Sequence, residues 1–519
     1  MKSLLVIAGF EANGFAGLLT DVQVAIQLGL SPCAIATSLT AQTVHRLVAN
    51  QATDPLLLQQ QLYSLELLPE VIKIGLVPNR ALASVIADWL HDHYSQPGQP
   101  GPQPPLIVLD PVASSSGDRQ SFGDQSLAEI LSPLWPWVSL LTPNIEELQQ
   151  LASEPSHPQA KRPTLQDPSH GMTTEAAWVE RCYWAHPGLS ADILVTGGHS
   201  ESGASEVTDT LYNRAGISGP HWSQQRFAYS LRGTGCYLST AIACALCHNY
   251  SQYDAITVAS AMLHSRYRAS WDGHRIRHSR PAHLPGWPVE SEVYPTIGGH
   301  NKQIDSEPVR LFPAMTLRHG LYPIVESAAW VERMALIGIT TLQLRIKHQP
   351  IERVRAQIAA AVQIAQRYQL QLFINDYWQL AIEYQAYGVH LGQADLLDAD
   401  LAAIARAGLR LGISTHGDFE FQTARQLNPS YLAVGAIFPT VTKDMSGKLQ
   451  GLTRLARFRA LEASIPIVAI GGIYHHNIQT VLATGVDMVA VVSAISLSDW
   501  PERSAEQLQH ACLTFHKES

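Results

Sequence analysis

From about Thr316 onward the chain runs through a short-paced, regular βα repeat that few folds can accept. Leu321–Val325, Thr341–Leu344, Leu372–Ile374, Gly388–Leu391, Leu409–Ile413, Tyr431–Val434, Ile467–Ile470 and Val489–Val492 read as strands, with helical patterns between them and after the last. Such runs are too short for buried helices, and their near-continuous apolar character fits strands covered on both faces. Eight strands, each followed by a helix, is the count of a (β/α)8 TIM barrel.

The front of the chain keeps a slower tempo. Leu4–Ala8, Cys33–Leu39, Val71–Ile74, Leu106–Leu109, Val138–Leu141 and Ile193–Val195 are strand candidates, and Asp21–Leu28, Leu56–Leu65, Ala81–His93 and Leu238–Cys247 are helix candidates. That alternation predicts a second α/β domain with a largely parallel sheet. Ser95–Pro105 and Ala152–Met172 interrupt it as Pro-rich surface loops. Trp271–Met315 lacks periodicity and reads as a connection whose aromatic residues can dock on either neighbour. The expected division is therefore 1–270, a linker at 271–315, and a barrel at 316–519.

Composition narrows the function. At 519 residues with 46% hydrophobic content, two buried cores are affordable. A formal charge of −9 with no Lys/Arg run argues against nucleic acid as partner. No apolar run is long enough to span a bilayer, and the first strand is a poor signal peptide, so a cytoplasmic location without membrane contact is expected. The six cysteines are irregularly spaced, and Cys244 and Cys247 fall in an Ala-rich helical pattern, which favours helix packing over a metal site. Small phosphorylated molecules remain as partners, while the chain does not decide between a monomer and a homo-oligomer.

In a barrel, chemistry gathers at the C-terminal ends of the strands. Polar residues recur there: Gln343, Arg345 and Lys347 after the second strand, Asn375 and Asp376 after the third, and His390, Gln393 and Asp395 after the fourth. Ser414, Thr415 and His416 end the fifth, Thr440, Thr442 and Lys443 follow the sixth, Gly471 and Gly472 end the seventh, and Val492 and Ser493 close the eighth. A single strand-end polar residue is usually a solvated loop residue; seven consecutive strands supplying them is not explained that way. Arg345, Lys347 and Lys443 suit a pyrophosphate, Asp376 and Asp395 suit Mg²⁺, and Gly472 and Ser493 stand where barrels hold a phosphate monoester.

Three signals mark the front half. Ala8–Gly17 is a glycine-rich turn between a strand and a helix, without the pattern of a P-loop. Thr142-Pro143-Asn144-Ile145-Glu146-Glu147 ends a strand, where Asn144 and Glu147 could hold hydrated Mg²⁺ or simply cap the next helix. Arg232-Gly233-Thr234-Gly235-Cys236 opens a helix, so its amides and the helix dipole make an anion hole. That field should lower the Cys236 thiol pKa and make it a base; the plainer reading of Cys236 is a packing residue.

These front residues, with Ser38-Leu39-Thr40-Ala41-Gln42, Asp110-Pro111-Val112 and Gly197-Gly198-His199, resemble the ribokinase-like superfamily and, within it, the hydroxymethylpyrimidine/phosphomethylpyrimidine kinases. The resemblance implies an α/β/α sandwich that uses ATP and Mg²⁺ to phosphorylate an aminopyrimidine alcohol and then its phosphate. By it, Gly9, Asp21 and Gln42 hold the pyrimidine, Cys236 is the base, the Gly233, Thr234 and Gly235 turn stabilises the transferring group, and Asp110, Asn144 and Glu147 lie near Mg²⁺. Glu11–Phe15, Ala113–Ser116 and Thr196 depart from that family's usual residues.

The back half, over about Gly320–Ile495, resembles thiamin phosphate synthase through QLR-x-K, ND, GVHLGQ-x-D, G-x-STH, GxIFPT-x-TK, IGGI and VVSAI. The resemblance implies that the aminopyrimidine methyl pyrophosphate ionises, that a thiazole phosphate captures the cation through its nitrogen, and that pyrophosphate leaves. Arg345 and Lys443 would then be catalytic. Gln343, Lys347, Asn375, Ser414, Thr440, Thr442, Gly472, Val492 and Ser493 would bind substrate, and Asp376 and Asp395 the metal. Two alternatives stay open for the front half: a kinase for another vitamin alcohol such as pyridoxal, or a decayed pyrimidine-binding module that regulates the barrel.

Overall fold

The computed structural model describes residues 2–43, 47–95, 103–112, 125–153, 174–199, 204–271, 286–299, 312–440 and 449–518. It contains two compact units, Met1–Pro288 with Glu292–His300, and Val289–Ser291 with Asn301–Ser519. No helix among the described residues is long and apolar enough to cross a membrane.

The first unit is built on a ten-stranded sheet. Its strands are β1 (Leu4–Glu11), β2 (Cys33–Gln42), β3 (Leu47–Ala52), β4 (Val71–Ile74), β5 (Leu106–Leu109), β6 (Leu140–Leu141), β7 (Asp192–Val195), β8 (Glu206–Tyr212), β9 (Ser218–Gln225) and β10 (Thr296–Gly298). They lie in the order β10-β9-β8-β7-β6-β5-β4-β1-β2-β3. The central strands, from β7 through β4 and β1 to β2, are parallel, as the alternation predicts. Both margins are antiparallel. Sequence reading missed them because β8 and β9 are polar and only partly buried, so they give no sustained apolar signal.

Helix Arg80–Tyr94 shows how the layers lock. Asn79 caps it by accepting from the Leu82 N–H at 3.0 Å, and Leu82, Ala83, Ile86, Trp89 and Leu90 recur on one buried face. Each large apolar side chain on that face contributes about 1.5–3 kcal/mol of transfer free energy. Cys244 and Cys247 are buried in helix Thr234–Cys247 as packing residues.

Part of the expected linker is built into the first unit instead. β10 pairs with β9 through Ile297 and Trp222, and Trp287 stacks on Tyr250 at 5.0 Å. Apolar and aromatic burial outweighs the lack of periodicity in that stretch. Residues 272–285 and 300–311 lie outside the described residues.

The second unit is a closed eight-stranded parallel barrel. Its strands are β11 (Gly320–Val325), β12 (Thr341–Leu344), β13 (Gln371–Asn375), β14 (Gly388–Leu391), β15 (Arg410–Thr415), β16 (Tyr431–Gly435), β17 (Ile467–Ile470) and β18 (Met488–Val491). Inside it, Tyr322, Phe373 and Tyr431 pack with Met315, Val468 and Met488, and Phe373 meets Tyr431 edge-on at 5.0 Å. Glycines make room for these rings. A Cβ on Gly412 would stand 2.1 Å from the Tyr431 ring, and one on Gly388 2.5 Å from Phe373. Gly412→Ala is therefore expected to destabilise the barrel by about 3 kcal/mol through overpacking. An unshifted denaturant midpoint for the barrel transition would show that the ring yields freely.

Candidate active sites

In the first unit the parallel strands deliver their C-terminal ends to one cleft of about 970 Å³, the place where open α/β sheets bind ligands. Gly9, Gln42, Asp110, Asn144, Glu147, Gly233, Thr234, Gly235 and Cys236 all line it. Two glycines let the loops close on each other. A Cβ on Gly17 would fall 2.3 Å from the Gly9 carbonyl, and one on Gly233 would fall 2.1 Å from the Phe15 carbonyl; both have positive φ. Glu11 explains its own departure from the kinase pattern: its carboxylate accepts from Asn13 N and Nδ2 and from Phe15 N, each at 2.8 Å, and so pins the glycine loop.

Three expectations about this cleft need correction. Asp21 does not line it: it is fully buried, accepts from Lys73 Nζ at 2.9 Å and from Thr240 Oγ1 at 2.7 Å, and holds a buried cation in place of a ligand. Asn144 and Glu147 form the helix cap: Asn144 N donates to Glu147 Oε2 and Glu147 N to Asn144 Oδ1, both at 2.9 Å. Those atoms are spent on the backbone, and no group of three or more His, Cys, Asp or Glu suited to a metal exists among the described residues.

The third correction is the sign of the Cys236 shift. The thiol is pushed up to about 12, not down. Burial is the largest cause; Lys73 pulls the other way, the Asp110 and Asp21 carboxylates push further up, and the Gly17 N–H pulls down. Two carboxylates reach the site from elements distant in sequence, so the helix terminus alone does not set the sign. Burial likewise raises Asp110, opposed by Lys73, reinforced by Asp21, and opposed by hydrogen bonds from Cys236 and Ser239. Cys236 is therefore a protonated thiol hydrogen-bonded to Asp110, whose own proton affinity is raised by burial.

Two buried residues behind the lining support the cleft. Lys73 is fully buried between Asp21 and Asp110, 2.9 and 3.9 Å away. A lysine inside the otherwise apolar run Val71–Ile74 was the available signal, because lysine is almost never buried unpaired. Arg266 donates to the carbonyls of Gly233 and Arg232 at 3.2 and 2.9 Å and lies over the Tyr237 ring, bracing the anion-hole turn from behind.

The barrel carries a second cleft, of about 470 Å³, at the C-terminal ends of its strands. Gln343, Arg345, Lys347, Asn375, Asp376, Asp395, Ser414, Thr440, Gly472, Val492 and Ser493 line it together. Thr442 and Lys443 lie outside the described residues. Lys347 pairs with Asp376. Asp395 has a raised pKa, chiefly from burial, with the adjoining Asp376 carboxylate adding to it by charge and hydrogen bond. Two carboxylates pressed together in this way suit a divalent cation between or beside them. Asn375 Nδ2 is buried without a hydrogen-bond partner among the described residues, so its donor is free for a ligand.

Below the rim runs a buried polar chain. Tyr322 OH meets Tyr431 OH at 2.7 Å, Tyr431 OH meets His390 Nδ1 at 2.7 Å, and His390 Nε2 meets Ser414 Oγ at 2.8 Å. Burial, with Arg345 and His416 adding and Asp376 opposing, lowers His390 to about 4 and keeps it neutral. Ser414 is thereby fixed in direction. Tyr322 went unnoticed because it reads as an ordinary core aromatic. At the far side Gly472 has positive φ, and a Cβ there would lie 2.5 Å from the Pro439 carbonyl; Asn477 Nδ2 holds the Gly472 carbonyl at 2.9 Å.

A sheet cleft with an anion-hole turn and a barrel rim with paired cations and carboxylates define a transferase of phosphorylated substrates. The family described as phosphomethylpyrimidine kinase matches residues 12–279, more than half of the chain, and that described as thiamine monophosphate synthase matches residues 321–495. The chain is 56% identical over 200 residues to the thiamine-phosphate synthase of Yersinia pseudotuberculosis, covering 38% of this chain and 93% of that protein. It also matches the solved phosphomethylpyrimidine kinase of Clostridium difficile, at 20% identity and TM-score 0.37 over 50% of this chain and 96% of that one. A pyridoxal kinase from Staphylococcus aureus matches at 17% identity and TM-score 0.43 over 57% and 98%. The chain belongs to the phosphomethylpyrimidine kinase family in its first unit and to the thiamine-phosphate synthase family in its second, and is an enzyme with both activities.

Proposed function

We propose that the first unit transfers two phosphoryl groups in succession from ATP to 4-amino-5-hydroxymethyl-2-methylpyrimidine, and that the second joins the resulting pyrophosphate to a thiazole phosphate. Support for the second step comes above all from the meeting of Arg345, Lys347, Asp376 and Asp395 at one rim, with Gly472 and Ser493 in the same cleft. Pyrophosphate leaves toward the cations, and its developing charge is what the site must stabilise. Asp376 and Asp395 would hold Mg²⁺, which supplies charge neutralisation on that leaving group. Arg345 donates to its oxygens, Asn375 uses its free amide, and Ser414, aimed by neutral His390, positions the pyrimidine. Gly472 and Ser493 hold the thiazole phosphate.

In the kinase cleft, Gln42 recognises the aminopyrimidine and the Gly233–Gly235 amides receive the transferring group. The alcohol proton passes to the Cys236 sulfur while the thiol proton passes to Asp110, so no free thiolate forms. The alcohol oxygen attacks the terminal phosphorus of ATP and ADP departs. ATP is the donor in this reading and Mg²⁺ its companion. All six cysteines are unpaired thiols, which suits the reducing cytoplasm.

The test is one incubation of purified protein with the pyrimidine alcohol, ATP, Mg²⁺ and thiazole phosphate, read by product mass. Thiamin phosphate together with ADP is the expected outcome. Thiamin phosphate formed only when the pyrimidine pyrophosphate is added would leave the synthase and remove the kinase. ADP released on pyridoxal but not on the pyrimidine would reassign the alcohol.

A further inference from the structure

We propose that Arg232 grips the phosphate already carried by the acceptor in the second phosphoryl transfer, and so sets the preference of the kinase cleft between the pyrimidine alcohol and its phosphate. The inference rests on the kinase reading above.

Arg232 stands directly before the anion-hole turn and lines the cleft with Gly233–Cys236. It is only 7% exposed. One terminal nitrogen donates to Gln42 Oε1 at 3.0 Å and the other to the Thr43 carbonyl. Its Nε is buried and has no acceptor among the described residues, and no described carboxylate forms an ion pair with it. A guanidinium taken out of water with a donor unspent and a charge unpaired is costly to hold. An anionic ligand would remove that cost. Glu11, the carboxylate whose field reaches Arg232 and favours its charge, turns its oxygens to Asn13 and Phe15 and makes no contact ion pair with it among the described residues. Lys73 is committed to Asp21.

The placement selects which anion. Of the two arginines lining the cleft among the described residues, Arg226 donates to the Gly197 and Gly198 carbonyls. Arg232 instead holds the side chain of Gln42, the proposed reader of the amino group. In the pyrimidine the amino and hydroxymethyl groups occupy neighbouring ring carbons. A phosphate on that hydroxymethyl therefore lies beside Gln42, where Arg232 is. In the transfer itself, an oxygen of this phosphate attacks the terminal phosphorus of ATP, the bond to the ADP oxygen breaks, and a phosphoanhydride forms. The acceptor needs no proton removed, since a phosphate monoester is largely doubly ionised above pH about 6. What it needs is a cation against which two anions can approach.

The experiment compares kcat/KM for the alcohol and for its phosphate in Arg232→Gln and Arg232→Lys, with ADP release as readout and ATP saturating. Expected in Arg232→Gln is a fall of about 30-fold or more in the phosphate-to-alcohol ratio, carried mainly by KM for the phosphate; one charge-assisted contact of about 2 kcal/mol corresponds to that factor. Arg232→Lys should recover part of it. Alcohol turnover certifies that the cleft has folded. Equal falls on both acceptors, or no fall on either, would overturn the assignment, the first by making Arg232 structural or a contact of the transferring group. If the wild-type protein phosphorylates neither acceptor, the kinase reading fails instead.

Discussion

Cys236→Ala is expected to lower kcat for the pyrimidine alcohol about 1000-fold while costing the phosphorylated acceptor no more than about tenfold. A primary alcohol must lose one as it attacks, and a positioned base in such a step is worth about 10²–10⁴ in rate. Cys236 reaches Asp110 through a hydrogen bond, and burial raises the proton affinity of both groups. The pair can therefore take a proton without an unstable thiolate. The phosphate acceptor arrives already ionised, so the relay has little to do. ADP release measured separately on each acceptor, with synthase turnover on supplied pyrimidine pyrophosphate as control, tests this. Parallel thousandfold losses on both acceptors would assign Cys236 to the transferring group, and loss of synthase turnover as well would contradict two independent sites. Together with the opposite bias expected of Arg232→Gln, the two variants separate what removes a proton from what holds a charge.

What was legible in the chain follows from what is local. All eight barrel strands were legible because each is a short apolar run whose own sequence carries the signal, and the strand-end rule then places Gln343, Arg345, Asp376 and Asp395 in one cleft. The Cys236 turn was visible for the same reason. The sign of its pKa shift is not, since it depends on burial and on Asp110, just past the end of β5, and Asp21 of the first helix, all set by the fold. Locally, Asn144 and Glu147 fit either a hydrated cation or a helix cap, and the structure shows the cap. Asp21 was given to the ligand by resemblance, whereas Lys73, 52 residues away in sequence, claims it. The Tyr322–Tyr431–His390–Ser414 chain joins four strands, and nothing in any one strand announces it.

Asp395→Asn is the variant expected to damage the barrel chemistry most, with thiamin phosphate formation falling about 10²–10³-fold and the Mg²⁺ requirement moving to higher concentration. Asp395 and Asp376 adjoin, and their mutual repulsion raises Asp395 above the ordinary carboxylate range on top of burial. Lys347 answers only part of that charge. A divalent cation relieves the repulsion and adds positive charge where pyrophosphate leaves; an amide in place of one carboxylate weakens the cation without changing the volume of the cleft. Removing one oxyanion stabiliser commonly costs about 10²–10³ in kcat. The fold should survive, because replacing Asp395 lessens a like-charge contact, and the denaturation midpoint of Asp395→Asn should equal or exceed that of the parent. The Mg²⁺ titration of product formation separates the possible roles. A lowered plateau with a shifted midpoint fits a metal ligand, a lowered plateau with an unmoved midpoint makes Asp395 a substrate contact, and an unchanged curve removes it from the site.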